Sequence, residues 1–199
     1  PNMTISGVLP LLRIVGQVEG TYVLAEGPDG LYIIDQHAAH ERVLLERIMA
    51  QLDGSTVDYQ YLLDPIPLEL NGEQQEILGQ GQDTLRKFGF HVESFGYGKV
   101  LMRAVPAALM ERKRDLNTSL GDVLGVLANS NNVSDGLTTV AVSIACHSAV
   151  RAGDVLSHAE MTALVRDLEV VNNPNTCPHG RPTIIHFSSA HLEREFGRR

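Results

Sequence analysis

Apolar and polar residues alternate through the opening third of the chain, the period of half-buried strands. Leu11–Val18, Thr21–Ala25 and Leu31–Ile34 are rich in β-branched and apolar residues, and Gly27-Pro28-Asp29-Gly30 is turn chemistry, so three short strands are predicted. From about His37 to Leu52 the period becomes helical, with Leu44, Leu45, Ile48 and Leu52 on one face and Asp53-Gly54 as the stop. Ser55–Pro67, with two prolines, is expected to be a connector with little regular structure beyond short extended pieces. Asn71 with Gln74 makes a capping box that opens a helix to about Phe88, and Phe90–Phe95 with Lys99–Val105 reads as a hairpin around Gly96–Gly98. Asp115–Ala128 is predicted helical, ended by Asn129–Asn132. The Ala-rich stretch Leu137–Arg151 has no polar face, which predicts a helix buried on most sides. Ser157 and Glu160 cap a further helix to about Leu168, followed by a loop over Asn172–Pro182, a strand over Thr183–Phe187 and a short helix from Ser189. The mixture points to the α/β (α+β) class.

Composition narrows the picture. A chain of 199 residues suffices for one domain or two small ones, and 43% hydrophobic with 20% charged residues is ordinary for a globular protein. No apolar run reaches the roughly eighteen residues of a membrane span. Pro1–Pro10 lacks the regions of a signal peptide and reads as the end of a linker, which predicts a chain cut from a longer protein and a cytosolic location. Two cysteines, Cys146 and Cys177, make no disulfide framework; in the cytosol they stay reduced and available to metals. A formal net charge of −8 argues against a domain that holds nucleic acid by its own field, so any DNA chemistry needs its substrate delivered.

Three segments carry candidate chemistry. Asp35-Gln36-His37-Ala38-Ala39-His40-Glu41 lies where a predicted strand meets a predicted helix. His37 and Glu41 are one turn apart on one face, and imidazole with carboxylate suits zinc or manganese; a capped helix start with a solvent-facing histidine is the bland reading. Cys177-Pro178-His179-Gly180-Arg181-Pro182 has a Cys-x-His spacing that, in extended chain, points both side chains the same way; a buried cysteine beside a surface histidine is the alternative. Cys146 sits on the Ala-rich helix, where a free cysteine is most often simply packed, with His147 turned about 100° away and Arg151 able to meet an acid or a phosphate. Thiolate, imidazole and carboxylate together fit zinc, and the added acids admit a second, harder ion of the kind two-metal phosphodiester chemistry uses.

In series these segments resemble the C-terminal dimerisation and endonuclease domains of nicking-type MutL DNA mismatch repair proteins. Asp35-Gln36-His37-Ala38, Glu41 and Glu46 look like the endonuclease signature, Ala145–Ala152 like the Ala-Cys element, Cys177–Pro182 like the Cys-Pro-His-Gly-Arg-Pro element, and Phe196-Gly197-Arg198 like the terminal Phe-x-Arg signature. The resemblance implies a metal-dependent nickase and homodimer with Asp35, His37, Glu41, Cys146, Cys177 and His179 at the metal site, binding zinc, manganese or both. It implies a dimerisation lobe from residues 1–54 and 144–199 and an inserted regulatory lobe at 55–143. Glu46 lies about 140° from Glu41 on the wheel, beside Arg42 and Arg47, and is read as a helix-orienting or solvated residue, not a ligand. Gln36 and His40 are expected in supporting roles, and Arg181 as a residue that steers phosphate or braces its loop.

Gln60-Tyr61-Leu62-Leu63-Asp64-Pro65 resembles the Gln-x-x-Leu-x-Pro peptide by which such proteins bind the DNA sliding clamp, with Gln60, Leu63 and Pro65 as anchors; the alternative is a connecting strand that buries Leu62 and Leu63. The implied partners are a second copy, the clamp, weakly held DNA, and a mismatch-recognition protein reached through the rest of a MutL chain, in a bacterial cytoplasm near the nucleoid. No P-loop nucleotide site is present in the sequence. The competing reading is a non-catalytic dimerisation module with a structural zinc. A small-molecule zinc hydrolase is disfavoured because no His-Glu-x-x-His helix occurs.

Overall fold

The computed structural model describes residues 9–96, 98–111, 115–129 and 133–198. The linker-like start as far as residue 8, Tyr97 of the predicted hairpin turn and residues 130–132 of the predicted helix stop lie outside the described residues. The chain has an α+β fold and divides into two compact units, Pro1–Glu46 with Ala149–Arg199, and Arg47–Ser148.

In the first unit, β1 (Arg13–Val18), β2 (Tyr22–Gly27), β3 (Gly30–Asp35) and β7 (Ile184–Ser188) form one antiparallel sheet in the order β1-β2-β3-β7. Gly27 and Gly30 pair at the β2–β3 turn, where Gly30 has φ +136° and an added Cβ would meet the Phe187 carbonyl at 2.2 Å. Only glycine fits there. Strand alternation sends Ile14, Val23, Ala25, Tyr32 and Ile34 to one face, where they share a core with Ala39 and Val43 of α1 (Gln36–Gly54) and Met161, Leu164, Val165 and Leu168 of α6 (His158–Val170). Burying each of those larger aliphatic side chains stabilises the unit by about 1.5–3 kcal/mol. Helix α6 starts on the expected capping box, the Ser157 hydroxyl accepting from Glu160 N–H. On the opposite face Leu24, Ile33 and Ile185 stand in register across three strands, with Leu31 beside Phe187, all half-exposed. The last element is α7 (Ser189–Glu195).

In the second unit, β4 (Tyr59–Glu69), β5 (His91–Gly96) and β6 (Lys99–Pro106) form a sheet in the order β4-β6-β5. Also in this unit are α2 (Gly72–Lys87), with its Asn71 capping box formed as expected, the short α3 (Ala107–Met110), α4 (Leu116–Asn129) and α5 (Val133–Ser148). Two expectations need correction. The connector over Ser55–Pro67 is largely strand β4: it is an edge strand, and its register with β6 breaks between Tyr61 and Ile66, so Pro65 falls where no ladder donor is required. The helix expected to reach Arg151 ends at Ser148, and two residues on, the backbone donors are taken by side chains: Val150 N–H by His40 Nδ1 at 3.0 Å and Arg151 N–H by Asp154 at 2.8 Å.

Candidate metal centre

Strand β3 ends on Asp35, whose Oδ1 accepts the N–H groups of His37 at 2.9 Å and Ala38 at 3.0 Å. An acceptor there satisfies two donors that the first helical turn leaves without intrahelical partners. This carboxylate therefore sets the direction in which α1 leaves the sheet. Gln36 follows, fully buried, with its amide nitrogen against the carbonyls of Gly20 (2.6 Å), Arg151 (2.9 Å) and Asp154 (3.0 Å) and its oxygen accepting from Gln17 (2.5 Å). Gln36 thus ties the β1–β2 turn to the segment after α5.

The next turn of α1 presents two adjacent stripes. One carries His37 and Glu41, with His37 Nε2 3.3 Å from Glu41 Oε1. The other carries Arg42 and Glu46, and it grips the loop that follows α6. Arg42 Nε donates to the Thr176 carbonyl at 2.6 Å, and the Glu46 carboxylate accepts the N–H groups of Asn172 at 2.8 Å and Asn173 at 3.2 Å.

Held in this way, the loop folds into a turn in which Gly180 N–H donates to the Cys177 carbonyl at 3.0 Å, while Cys177 N–H donates to the Arg181 carbonyl at 2.9 Å. Pro178 presets the second turn position and Gly180 takes φ +80°, so the proline and glycine build a turn. The extended Cys-x-His geometry expected from spacing is thereby replaced. Cys177 is buried at 2% exposure, whereas His179 is exposed and its Nε2 lies 3.7 Å from the same Glu41 oxygen. Arg181 is exposed beside the turn.

Within the first unit one Glu41 carboxylate oxygen is thus flanked by two imidazoles, His37 and His179, while Cys146 is half-buried on α5 of the second unit. Carboxylate oxygen and imidazole nitrogen are ligand types that zinc takes at about 2.0–2.2 Å. Glu41 is 4% exposed, and a carboxylate so far from water calls for a cation. The donor set fits a metal ion. Asp35 is taken up by the first N–H groups of α1, and Cys177 is buried in its own loop. His147 turns to Asp122, 2.8 Å away. The His37 ring is held above its ordinary pKa chiefly by its hydrogen bond to Glu41, against the opposing effect of burial, with help from the Val150 carbonyl and the charges of Glu41 and Asp35.

Both backbone groups of Val150 are held by α1: its carbonyl lies 2.7 Å from His37 Nδ1 and its N–H 3.0 Å from His40 Nδ1. Sequence reasoning missed this contact, because a backbone group leaves no mark in composition or spacing. It also missed Arg42 as a loop anchor, for which the i, i+4 spacing to Glu46 was an available signal.

In the second unit, the clamp-like peptide occupies β4 at its register break. Leu63 is 98% exposed, Gln60 is exposed, and Leu62 and Pro65 are half-buried. Of the alternative, a connecting strand that buries Leu62 and Leu63, the strand is present and Leu62 is half-buried, but Leu63 is exposed.

The profile of the MutL C terminal dimerisation domain matches residues 15–156. The chain is 40% identical over 193 residues to the DNA mismatch repair protein MutL of Clostridium tetani, covering 96% of this chain and 31% of that one. It is 39% identical over 189 residues to that of Clostridium botulinum strain Loch Maree (94% and 28%), and 40% identical over 191 residues to that of Bartonella bacilliformis (96% and 31%). The chain therefore spans under a third of the length of these relatives.

Proposed function

The chain belongs to the family of MutL C-terminal dimerisation domains, and from that premise we propose that it is the nicking module of a mismatch repair protein. In this reading it pairs with a second copy, holds a metal ion at Glu41, and cuts one DNA strand by phosphodiester hydrolysis. The observation that carries the reading is the buried Glu41 carboxylate with the His37 and His179 imidazoles against one of its oxygens. His37, Glu41, Cys146 and His179 would hold zinc or manganese, with Asp35 and Cys177 close by in the chain. Bound there, such an ion lowers the pKa of a water ligand and offsets charge on the phosphate.

The protein's own residues do the rest. Asp35 sets the start of α1, Arg42 and Glu46 hold the His179 turn in place, and exposed Arg181 is available to steer a phosphate. With a net charge of −8, DNA must be delivered. The sliding clamp does so by taking the exposed Gln60–Leu63–Pro65 peptide in extended form. Residues 1–54 and 144–199 serve as the dimerisation and nuclease lobe and 55–143 as the regulatory lobe. The open apolar face around Leu24, Ile33 and Ile185 is the surface on which a second copy would dock.

The test is Glu41→Lys in the full-length protein. Folding and dimerisation are retained and manganese-dependent nicking is lost; nicking at the wild-type rate would overturn the assignment. A second reading, a structural zinc without catalysis, is favoured by one observation: an Asp35 oxygen already caps α1. In that case metal is bound but neither Glu41→Lys nor wild type differs in nicking above background.

A further inference from the structure

We propose that His40 is a positioning residue of the metal centre, acting through Val150 to fix the tautomer and orientation of the His37 ring. The proposal rests on the metal reading above. Its core is the polarity of the backbone, which leaves no choice of proton positions. The Val150 carbonyl can only accept, so His37 Nδ1, 2.7 Å away, carries the proton; in the neutral ring the lone pair is then on Nε2, which faces Glu41 Oε1 at 3.3 Å. The Val150 N–H can only donate, so His40 Nδ1, 3.0 Å away, is bare and its ring proton sits on Nε2.

His40 therefore has no lone pair to give a metal, while His37 has one aimed at the buried carboxylate. A histidine that donates one ring N–H to a backbone carbonyl and presents the other nitrogen is arranged as metal-binding histidines are. His37 and His40 are at i, i+3 on α1 and hold the two peptide planes on either side of the Val150 Cα. Val150 is 2% exposed, so water does not replace a lost bond cheaply. Asp154 holds the N–H of the peptide whose carbonyl His37 uses, and His40 holds the peptide before it. Without His40 the Ala149–Val150 plane is released and the carbonyl that orients His37 moves with it.

The experiment compares wild type with His40→Asn, which puts an amide oxygen near the Nδ1 position, and His40→Gln, which puts methylene there and its amide farther out. Nitrogen-15 NMR of the metal-free protein reads the His37 tautomer, and chelator competition reads zinc affinity. The expected result is a His37 ring protonated on Nδ1 in wild type and in His40→Asn, with zinc affinity close to wild type. In His40→Gln the tautomers mix and zinc binds about tenfold or more weakly. A wild-type His37 protonated mainly on Nε2, or Asn and Gln variants that behave alike, would overturn the proposal. His37→Ala with unchanged zinc affinity would instead sink the metal reading at this ring, and the tautomer measurement would still decide whether His40 acts on His37.

Discussion

Replacing Glu41 by glutamine separates the cost of burying a carboxylate from its use as a ligand. The side chain is 5% exposed, and its Oε1 lies 3.3 Å from His37 Nε2 and 3.7 Å from His179 Nε2. The comparison is made on the alkaline side of the His37 titration, where the stability linked to the raised His37 pKa has faded. Glutamine keeps the shape without the charge, and the metal-free melting temperature is expected to stay level or rise. Zinc reverses the order. At a free zinc concentration about a hundredfold above the wild-type Kd, binding stabilises the wild type by about 2.7 kcal/mol. For a chain of this size that is a rise of about 5–11 °C. A hundredfold loss of affinity leaves the variant about 0.4 kcal/mol at the same zinc concentration, a rise of about 1–2 °C. Calorimetry with and without zinc gives both numbers. The reasoning fails if the variant gains as much from zinc as wild type, or if its metal-free form loses the roughly 3–5 kcal/mol of a broken buried ion pair.

In the metal-free protein His37 titrates above the ordinary imidazole value because of Glu41. Its contribution to stability is full below about pH 6.5 and disappears as pH rises through the folded pKa; an NMR titration that finds the ring at or below the ordinary value contradicts this. Glu46→Ala removes the acceptor of Asn172 and Asn173 N–H and is expected to cost about 1–2 kcal/mol in urea unfolding. An unchanged midpoint would remove Glu46 as a loop anchor. Leu63→Asp, at a 98% exposed position, leaves stability within about 0.5 kcal/mol and abolishes binding to immobilised clamp, so retained binding would reject the docking peptide. Ile33→Asp on the open sheet face converts the dimer to monomer in sedimentation velocity; a dimer of wild-type affinity would move the interface elsewhere.

Legibility in the sequence followed the range of the interactions. Both capping boxes, the hairpin and the β3–α1 junction were readable, because each depends on residues within one or two turns of each other. The placement of His37 with Glu41 on one stripe, and of Glu46 off it, likewise follows from helix geometry alone. Strand β4 was hidden because prolines read as breakers unless an edge position and a register break are known, and both are properties of the sheet. The end of α5 was misplaced because His40, 110 positions from Val150, takes the Val150 N–H that a longer helix would use.

The sequence by itself determined which ligand types the chain offers, their order, and the local elements that carry them, since those are matters of residue identity and of periods of two and 3.6. It could not decide which of them meet. That His179 reaches Glu41, that Cys177 turns inward and that His37 is held from behind depend on a loop pinned by Arg42 and Glu46 and on the Val150 carbonyl. Such contacts join residues more than a hundred positions apart, and only the folded chain fixes their distances.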